Sequence, residues 1–241
     1  MKGIILSGGS ATRLRPCTKI TSKQLLPVYN RPMIYYPLNT LIKAGIKDIL
    51  IIIAPEYAGH YLNLLGSGRD FGVRFTYEIQ DEPRGLADAF IVGENFIDED
   101  DVVMVLGDNI FEDDFSEDIK NFKGGGKVFA KKVEDPQRFG VVKFDDKQKA
   151  VQIEEKPKEW ISDYAITGLY IYDSRVVEAA KKAQPSERGE LEITELHNYY
   201  LAKDELEVAM VEGEWLDAGT FDTYLEAQLL AKKKLQDKMI I

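Results

Sequence analysis

One cysteine, Cys17, and two histidines, His60 and His197, are all this chain has of the side chains that most often form disulfides or hold zinc. An intrachain disulfide and a cysteine-based zinc site are thereby excluded, and two histidines so far apart in sequence do not suggest a metal cluster. No apolar stretch approaches the ~18 residues that a membrane-spanning helix requires. No basic-then-apolar leader precedes the first apolar run, so a soluble cytoplasmic protein with no membrane partner is expected. Positive charge is in deficit: the 241 residues carry 31 Lys and Arg against 41 Asp and Glu, a net charge of −10 and a pI near 4.9. That balance argues against a general nucleic-acid surface. No linker and no internal repeat divides the sequence, and residues 1–241 read as one domain.

Against this acidic background the first basic island stands out. Residues 3–6 (GIIL) form an apolar run without alternation, as expected of a strand buried on both faces. Ser7-Gly8-Gly9-Ser10-Ala11 then breaks the pattern with small residues that let a backbone pass close to a ligand. Arg13, Arg15, Lys19 and Lys23 follow. Backbone donors and fixed positive charge together suit a polyphosphate. Two commoner designs are excluded: no Gly-Lys-Ser/Thr follows for a P-loop, and the glycine after Gly9 is Gly45, too distant for a dinucleotide fingerprint. A plain strand-to-helix turn is the competing reading of the two glycines, and the cations favour a phosphate site.

Further along, Pro32 suits the first position of a helix over 33–44 that Gly45 closes. Residues 48–54 and 102–106 are two more apolar runs without alternation, and 72–79 is a further strand ending at Gln80. Helices are expected at 57–65 and 86–96. Alternating strands and helices predict a Rossmann-like, doubly wound α/β fold, with a mostly parallel sheet flanked by helices. In such sheets ligands bind beyond the carboxyl ends of the strands, where the Gly8 loop, Gln80 and Gly107-Asp108-Asn109 all fall. From Gly124 the strands become more polar: 127–133, 140–144, 150–154, 164–172 and 207–211, with helices at 174–183 (capped by Ser174), 192–203 and 221–234. They predict an extension of the first sheet and a smaller mixed sheet. Lys232-Lys233-Lys234 reads as a solvated helix end.

Asp108, after an apolar strand, is a candidate hard-oxygen ligand for Mg²⁺ or else a turn aspartate with a local hydrogen bond. Asp217, where Trp215-Leu216 opens into Ala218-Gly219, is a candidate second carboxylate. Glu154-Glu155-Lys156 offers acids beside a cation, or simply a solvated strand end, and Arg188-Gly189-Glu190 mixes the same chemistry before a helix. The acidic runs 98–101 and 112–114 read as solvated turns. No serine or cysteine nucleophile with a base is suggested, and neither histidine is near a marked loop. Phosphoryl-type transfer needs little more than positioning and charge neutralisation, and is compatible with that absence.

Taken together, GGSATRL at 8–14, SKQLLP at 22–27, RPMIYYPL at 31–38, LGDN at 106–109, EEKP at 154–157, RGELEIT at 188–194 and WLDAGT at 215–220 resemble the sugar-nucleotidyltransferase family, most closely its thymidylyl branch in a short form. The resemblance implies transfer of a thymidylyl group from dTTP to glucose 1-phosphate with release of pyrophosphate, the nucleotide bound mainly by residues 1–123 and the sugar phosphate by 124–241. It implies that Leu6, Gly8, Gly9, Ser10, Ala11 and Thr12 surround the nucleotide, with Gln80 and Gly85 at the base. Arg13 and Lys23 would meet the phosphates, and Asp108 and Asp217 would hold Mg²⁺. Lys156 and Arg188 would bind the sugar phosphate, with Asn109, Gly140, Glu155, Ile166 and Tyr170 lining the sugar pocket. A homo-oligomer, commonly a tetramer, is implied as well.

Two departures stand out. Ala11 replaces the family's third loop glycine, and if that position needs positive φ the alanine costs about 1 kcal/mol. Longer members also carry a further helical segment tied to a regulatory nucleotide site, so the resemblance does not carry feedback control over to this chain. Two alternatives stay open: the same reaction with UTP or another sugar 1-phosphate, and a non-catalytic nucleotide sensor.

Overall fold

The computed structural model describes every residue except Ser10 and Asp237. Its strands are β1 (Lys2–Ser7), β2 (Pro27–Val28), β3 (Arg31–Pro32), β4 (Asp48–Ile53), β5 (Arg74–Ile79), β6 (Val102–Leu106) and β7 (Asn109–Phe111), then β8 (Gly126–Lys132), β9 (Gly140–Phe144), β10 (Ala150–Glu155), β11 (Tyr164–Tyr172), β12 (Leu206–Met210) and β13 (Trp215–Asp217). The helices are α1 (Tyr35–Lys43), α2 (Ala58–Leu65), α3 (Asp88–Val92), α4 (Glu94–Ile97), α5 (Ser116–Lys120), α6 (Val176–Lys182), α7 (Ile193–Leu201) and α8 (Phe221–Leu230).

The main sheet has nine strands in the order β10-β9-β11-β6-β1-β4-β5, with β8 beside β11 and β12 beside β8. Strand β1 lies parallel to β4 and β6, pairing Ile5 with Ile51 and Leu6 with Leu106, and β4 lies parallel to β5. The apolar runs are explained by burial on both faces. Ile4, Leu6, Ile52 and Met104 meet Phe90, Tyr172 and Leu196 on one side, whereas Ile5, Ile51 and Val105 meet Leu38, Leu41 and Tyr61 on the other. Truncating a fully buried isoleucine such as Ile5 to alanine costs about 2–5 kcal/mol. Strand β11 runs antiparallel to β6 and carries the later strands into the same sheet. The smaller sheets are the antiparallel pairs β13–β7 and β2–β3.

Several boundaries differ from the sequence reading. Pro32 is the end of a tight hairpin rather than a first helical residue, since Val28 pairs with Arg31 around Tyr29-Asn30, and α1 begins only at Tyr35. The 86–96 helix is two short helices broken at Gly93, where a Cβ would stand 3.1 Å from Leu50 and 3.3 Å from Ile4. Ser174 caps nothing. No side chain caps α6; Asp173 Oδ1 accepts from the Arg175 N–H at 3.1 Å in the turn just before the helix. The final helix changes to a π-helical turn over Ala231–Leu235, and Lys234 is paired with Glu112 at 2.9 Å rather than merely solvated. Glu112 and Asp113 likewise leave the solvated-turn reading, because Asp113 accepts from the Glu212 and Gly213 N–H groups. Asp100 pairs with Lys2 at 2.9 Å.

Candidate active site

The carboxyl ends of β1, β5 and β6 open onto a chamber of about 220 Å³ lined by Leu6, Gly8, Gly9, Lys23, Gln80 and Gly85, among others. Its glycine loop turns through Gly9 at φ 92° and Ala11 at φ 43°. Ala11 therefore does occupy the left-handed region. Its carbonyl accepts from Thr18 Oγ1 at 2.7 Å, which holds the loop, while Thr12 and Arg13 stay exposed. Ser10 lies outside the described residues. Gly85 has φ 114° and is clamped by residue 191, whose carbonyl oxygen would stand 2.4 Å from any Cβ there. Only glycine fits that approach.

At the inner end of the chamber Lys23 Nζ is hydrogen-bonded to Asp108 Oδ2. Asp217 joins them from the far end of the chain, because β13 pairs Asp217 with Asn109 and the Ala218 N–H donates to the Asp108 carbonyl at 3.0 Å. Burial opposes ionisation of Asp108, but Lys23 overrides it and holds that carboxyl below its ordinary range. Burial also opposes the charge on Lys23, and the two aspartates reverse the effect and raise it. Asp217 is pushed up to about 6, first by burial and then by its neighbour Asp108. Its Oδ1 is buried and accepts no hydrogen bond from a described residue. Arg13 reaches the same spot, its Nη2 and Asp217 Oδ1 each lying 3.0 Å from where a Gly219 Cβ would be. Arg13 forms no ion pair with any described residue, so its guanidinium is available to an anion.

A second chamber of about 540 Å³ adjoins the first across Leu86 and Leu106. Arg13, Asn109, Gly140, Glu155, Lys156, Ile166, Tyr170, Arg188 and Asp217 all line it. Lys156 holds φ 43°, a strained conformation of the sort that clusters at functional sites. Burial raises Glu155 despite the nearby Lys156, whose Nζ is 3.5 Å away. Arg188 Nη2 lies 2.7 Å from Glu192 Oε1 and 3.6 Å from Glu155 Oε1, leaving an edge of the guanidinium on the cavity. Asn109 is on the wall, but its oxygen already accepts from Trp215 Nε1 and from the Gly168 N–H.

Sequence reasoning passed over Thr167, Thr194, His197 and Trp215 in this wall, and Asp88 behind Gln80. Trp215 was within reach as the aromatic two residues before Asp217; the others carry no local signal. His197 accepts from or donates to Tyr172 at Nδ1, 2.6 Å away, and complete burial depresses it to about 3. A neutral ring of that kind is no general base at pH 7.

A nucleotidyl transferase family profile matches residues 2–234. The chain belongs to that family. Among similar proteins, the glucose-1-phosphate thymidylyltransferase of Neisseria meningitidis serogroup A is 53% identical over 233 residues, covering 94% of this chain and 81% of the relative. That of Mycolicibacterium smegmatis is 50% identical over 232 residues, with the same shares covered. A crystal structure of a Bacillus anthracis protein assigned as a glucose-1-phosphate thymidylyltransferase, solved with sucrose, superposes with a TM-score of 0.91 at 47% identity, covering 97% of this chain and 96% of that one. A UDP-glucose pyrophosphorylase with UDP-glucose bound has a TM-score of 0.83 at 22% identity, a likeness of fold.

Nucleotidyltransferases of this family generally use a divalent metal. The residues present fit one: Asp217 Oδ1 is buried without a partner among the described residues, and Asp108 shares the same corner. Among the described residues no group of three or more His, Cys, Asp or Glu could hold an ion alone. Two carboxylates with phosphate and water oxygens suit a hard ion. No helix among the described residues is long and apolar enough to cross a membrane.

Proposed function

We propose that this nucleotidyltransferase transfers the thymidylyl group of dTTP to glucose 1-phosphate, forming dTDP-glucose and pyrophosphate. The observation that carries the reading is the pair of adjoining chambers, one bordered by Lys23 and Asp108 and the other by Arg13 and Asp217. The smaller one takes the nucleotide: Gly8, Gly9, Ala11 and Thr12 wrap the triphosphate, and Gln80 and Gly85 meet the thymine. The larger one takes glucose 1-phosphate, its phosphate on Lys156 and Arg188 and its hydroxyls on Glu155, Gly140 and neighbouring wall atoms. Relatives named for this reaction, at about half identity over nearly the whole chain, support the assignment.

A phosphate oxygen of the sugar attacks the α-phosphorus in line. The new bond forms as the bond from that phosphorus to the β-bridging oxygen breaks, and the electron pair leaves on pyrophosphate. Arg13 and Lys23 border the chambers where this charge develops, and the burial of Lys23 makes its contribution larger than in water. Asp108 and Asp217 would hold a divalent ion, which we take as Mg²⁺ and which would supply charge neutralisation on the phosphates. We take residues 1–241 as one cytoplasmic enzyme domain that assembles as a homo-oligomer, by resemblance a tetramer, which light scattering would test.

Incubation with dTTP, glucose 1-phosphate and Mg²⁺ should release pyrophosphate; no release above the Asp108→Asn background rejects the reading. UTP is the competing substrate, because uracil presents Gln80 with the same imino edge as thymine. A matrix of NTPs against sugar 1-phosphates, compared as kcat/KM, decides between them.

A further inference from the structure

Behind the nucleotide chamber the amide of Gln80 is held in one orientation by a residue that belongs to no motif singled out in the sequence. Gln80 is 7% exposed, and its Nε2 donates to Asp88 Oδ2 at 2.8 Å. Asp88 opens α3 and is fully buried. Its other oxygen, Oδ1, lies 2.7 Å from Arg84 Nη2, although without a well-aligned hydrogen bond. A carboxylate beside a guanidinium accepts hydrogen bonds and donates none. Only the NH₂ end of the Gln80 amide can face it without repulsion, which turns Oε1 the other way. Oε1 accordingly points to the glycine loop, where a Cβ built on Gly8 would stand 2.9 Å from it. Gly8 and Gln80 line the same chamber, so the face offered to a ligand there is an acceptor.

We propose that Asp88 is a positioning residue that makes this chamber selective for bases carrying an imino proton, thymine and uracil, over cytosine. The inference rests on reading the smaller chamber as the base site and Gln80 as its reader. Thymine and uracil present N3–H, a donor; cytosine presents a bare N3 lone pair. An Oε1 fixed toward the base accepts from the first two and opposes the third. Glutamine alone supplies no such preference, because its amide can turn over and present NH₂ instead. The buried carboxylate removes that freedom. A site left with an unpaired buried acceptor discriminates strongly against the ligand that fails to satisfy it.

Steady-state kinetics of Asp88→Asn with dTTP, UTP and dCTP test this. The substituted amide can donate to Gln80 Oε1, so the Gln80 side chain is free to turn over. The dTTP-to-dCTP ratio of kcat/KM should fall by about tenfold or more, mainly through KM, while the dTTP-to-UTP ratio stays where it was. Asp88→Ser, which removes the carboxylate without adding bulk, should shift the same ratio in the same direction. A folded variant, checked by its melting temperature, that leaves the dTTP-to-dCTP ratio unchanged overturns the proposal, as does one that moves both ratios equally. Gln80→Ala separates the two layers. If that variant also leaves every ratio unchanged, the base-site reading itself fails; if it equalises dTTP and dCTP while the Asp88 variants do not, only the role of Asp88 falls.

Discussion

The indole N–H of Trp215 donates to Asn109 Oδ1 at 2.6 Å, tying β13 to the residue beside Asp108. The same oxygen accepts from the Gly168 N–H at 3.0 Å, and Asn109 Nδ2 donates to Asp108 Oδ1 at 3.1 Å. Asp108 thus inherits its orientation from β11 and β13, strands from two other regions of the chain. Asn109 links them, its oxygen fully used by these two donors and one N–H of Nδ2 left for a ligand.

Trp215→Phe keeps an aromatic ring against Phe139, 5.1 Å away between centroids, but removes the donor. Asn109 then loosens and Asp108 loses a fixed partner. We expect kcat for pyrophosphate release to fall roughly ten- to hundredfold, the scale of a small misplacement near a reacting centre. A melting curve within a few degrees of wild type, together with unchanged kcat, would show the contact to be irrelevant.

Gly168→Ala attacks the same contact sterically. Its Cβ would stand 2.5 Å from both Cγ and Oδ1 of Asn109, and the buried Asn109 has nowhere to go. Overpacking of this kind costs about 1–3 kcal/mol. Urea denaturation should show the lower midpoint, and activity should fall further than the remaining folded fraction accounts for.

His197 sets part of the acid sensitivity. Buried and neutral in the folded chain, it titrates near 3, whereas the unfolded chain takes up a proton near 6.5. Between those values the unfolded state binds more protons, so stability is complete above about 6.5 and drains away as pH falls toward 3. The loss should reach a few kcal/mol, on the order of 1.4 for each pH unit crossed. His197→Gln should therefore decline less steeply than wild type between pH values of about 7 and 4; parallel stability curves would count against the assignment.

Ala11 sits at φ 43° and ψ 39°, where a side chain crowds its own backbone. Ala11→Gly relieves that strain and should stabilise the protein by about 1 kcal/mol or somewhat less, since glycine also loosens the unfolded chain. Chemical denaturation checks this directly, and a lower midpoint in the glycine variant would contradict the backbone argument.

Much of the fold is legible in the amino-acid sequence. Residues 3–6, 48–54 and 102–106 show no alternation because both faces of β1, β4 and β6 are buried, with β4 ending one residue early at Ile53, and 164–172 matched β11 from end to end. Helix 86–96 could not be read correctly from its periodicity, because the break is a single non-helical residue, Gly93 at φ −85° and ψ 5°, that leaves the apolar spacing intact. Ser174 looked like a cap by residue type, yet no side chain caps α6; the neighbouring Asp173 is held instead by the Gly125 N–H, which donates to it at 2.7 Å across two elements.

The candidate site divides along the same line. Composition and local pattern determined by themselves that a glycine turn flanked by cations ends the first buried strand, and that carboxylates follow apolar segments at 108 and 217. Only the tertiary structure decided that β7 and β13 pair, bringing Asp217 to Lys23 and Asp108, and that Asp88 holds Gln80 by its amide nitrogen. Burial and backbone geometry act over neighbouring residues and leave a trace in sequence. The choice of partner for a buried polar atom is made across the whole chain, by whichever donor or acceptor the packed core leaves within 3 Å or so.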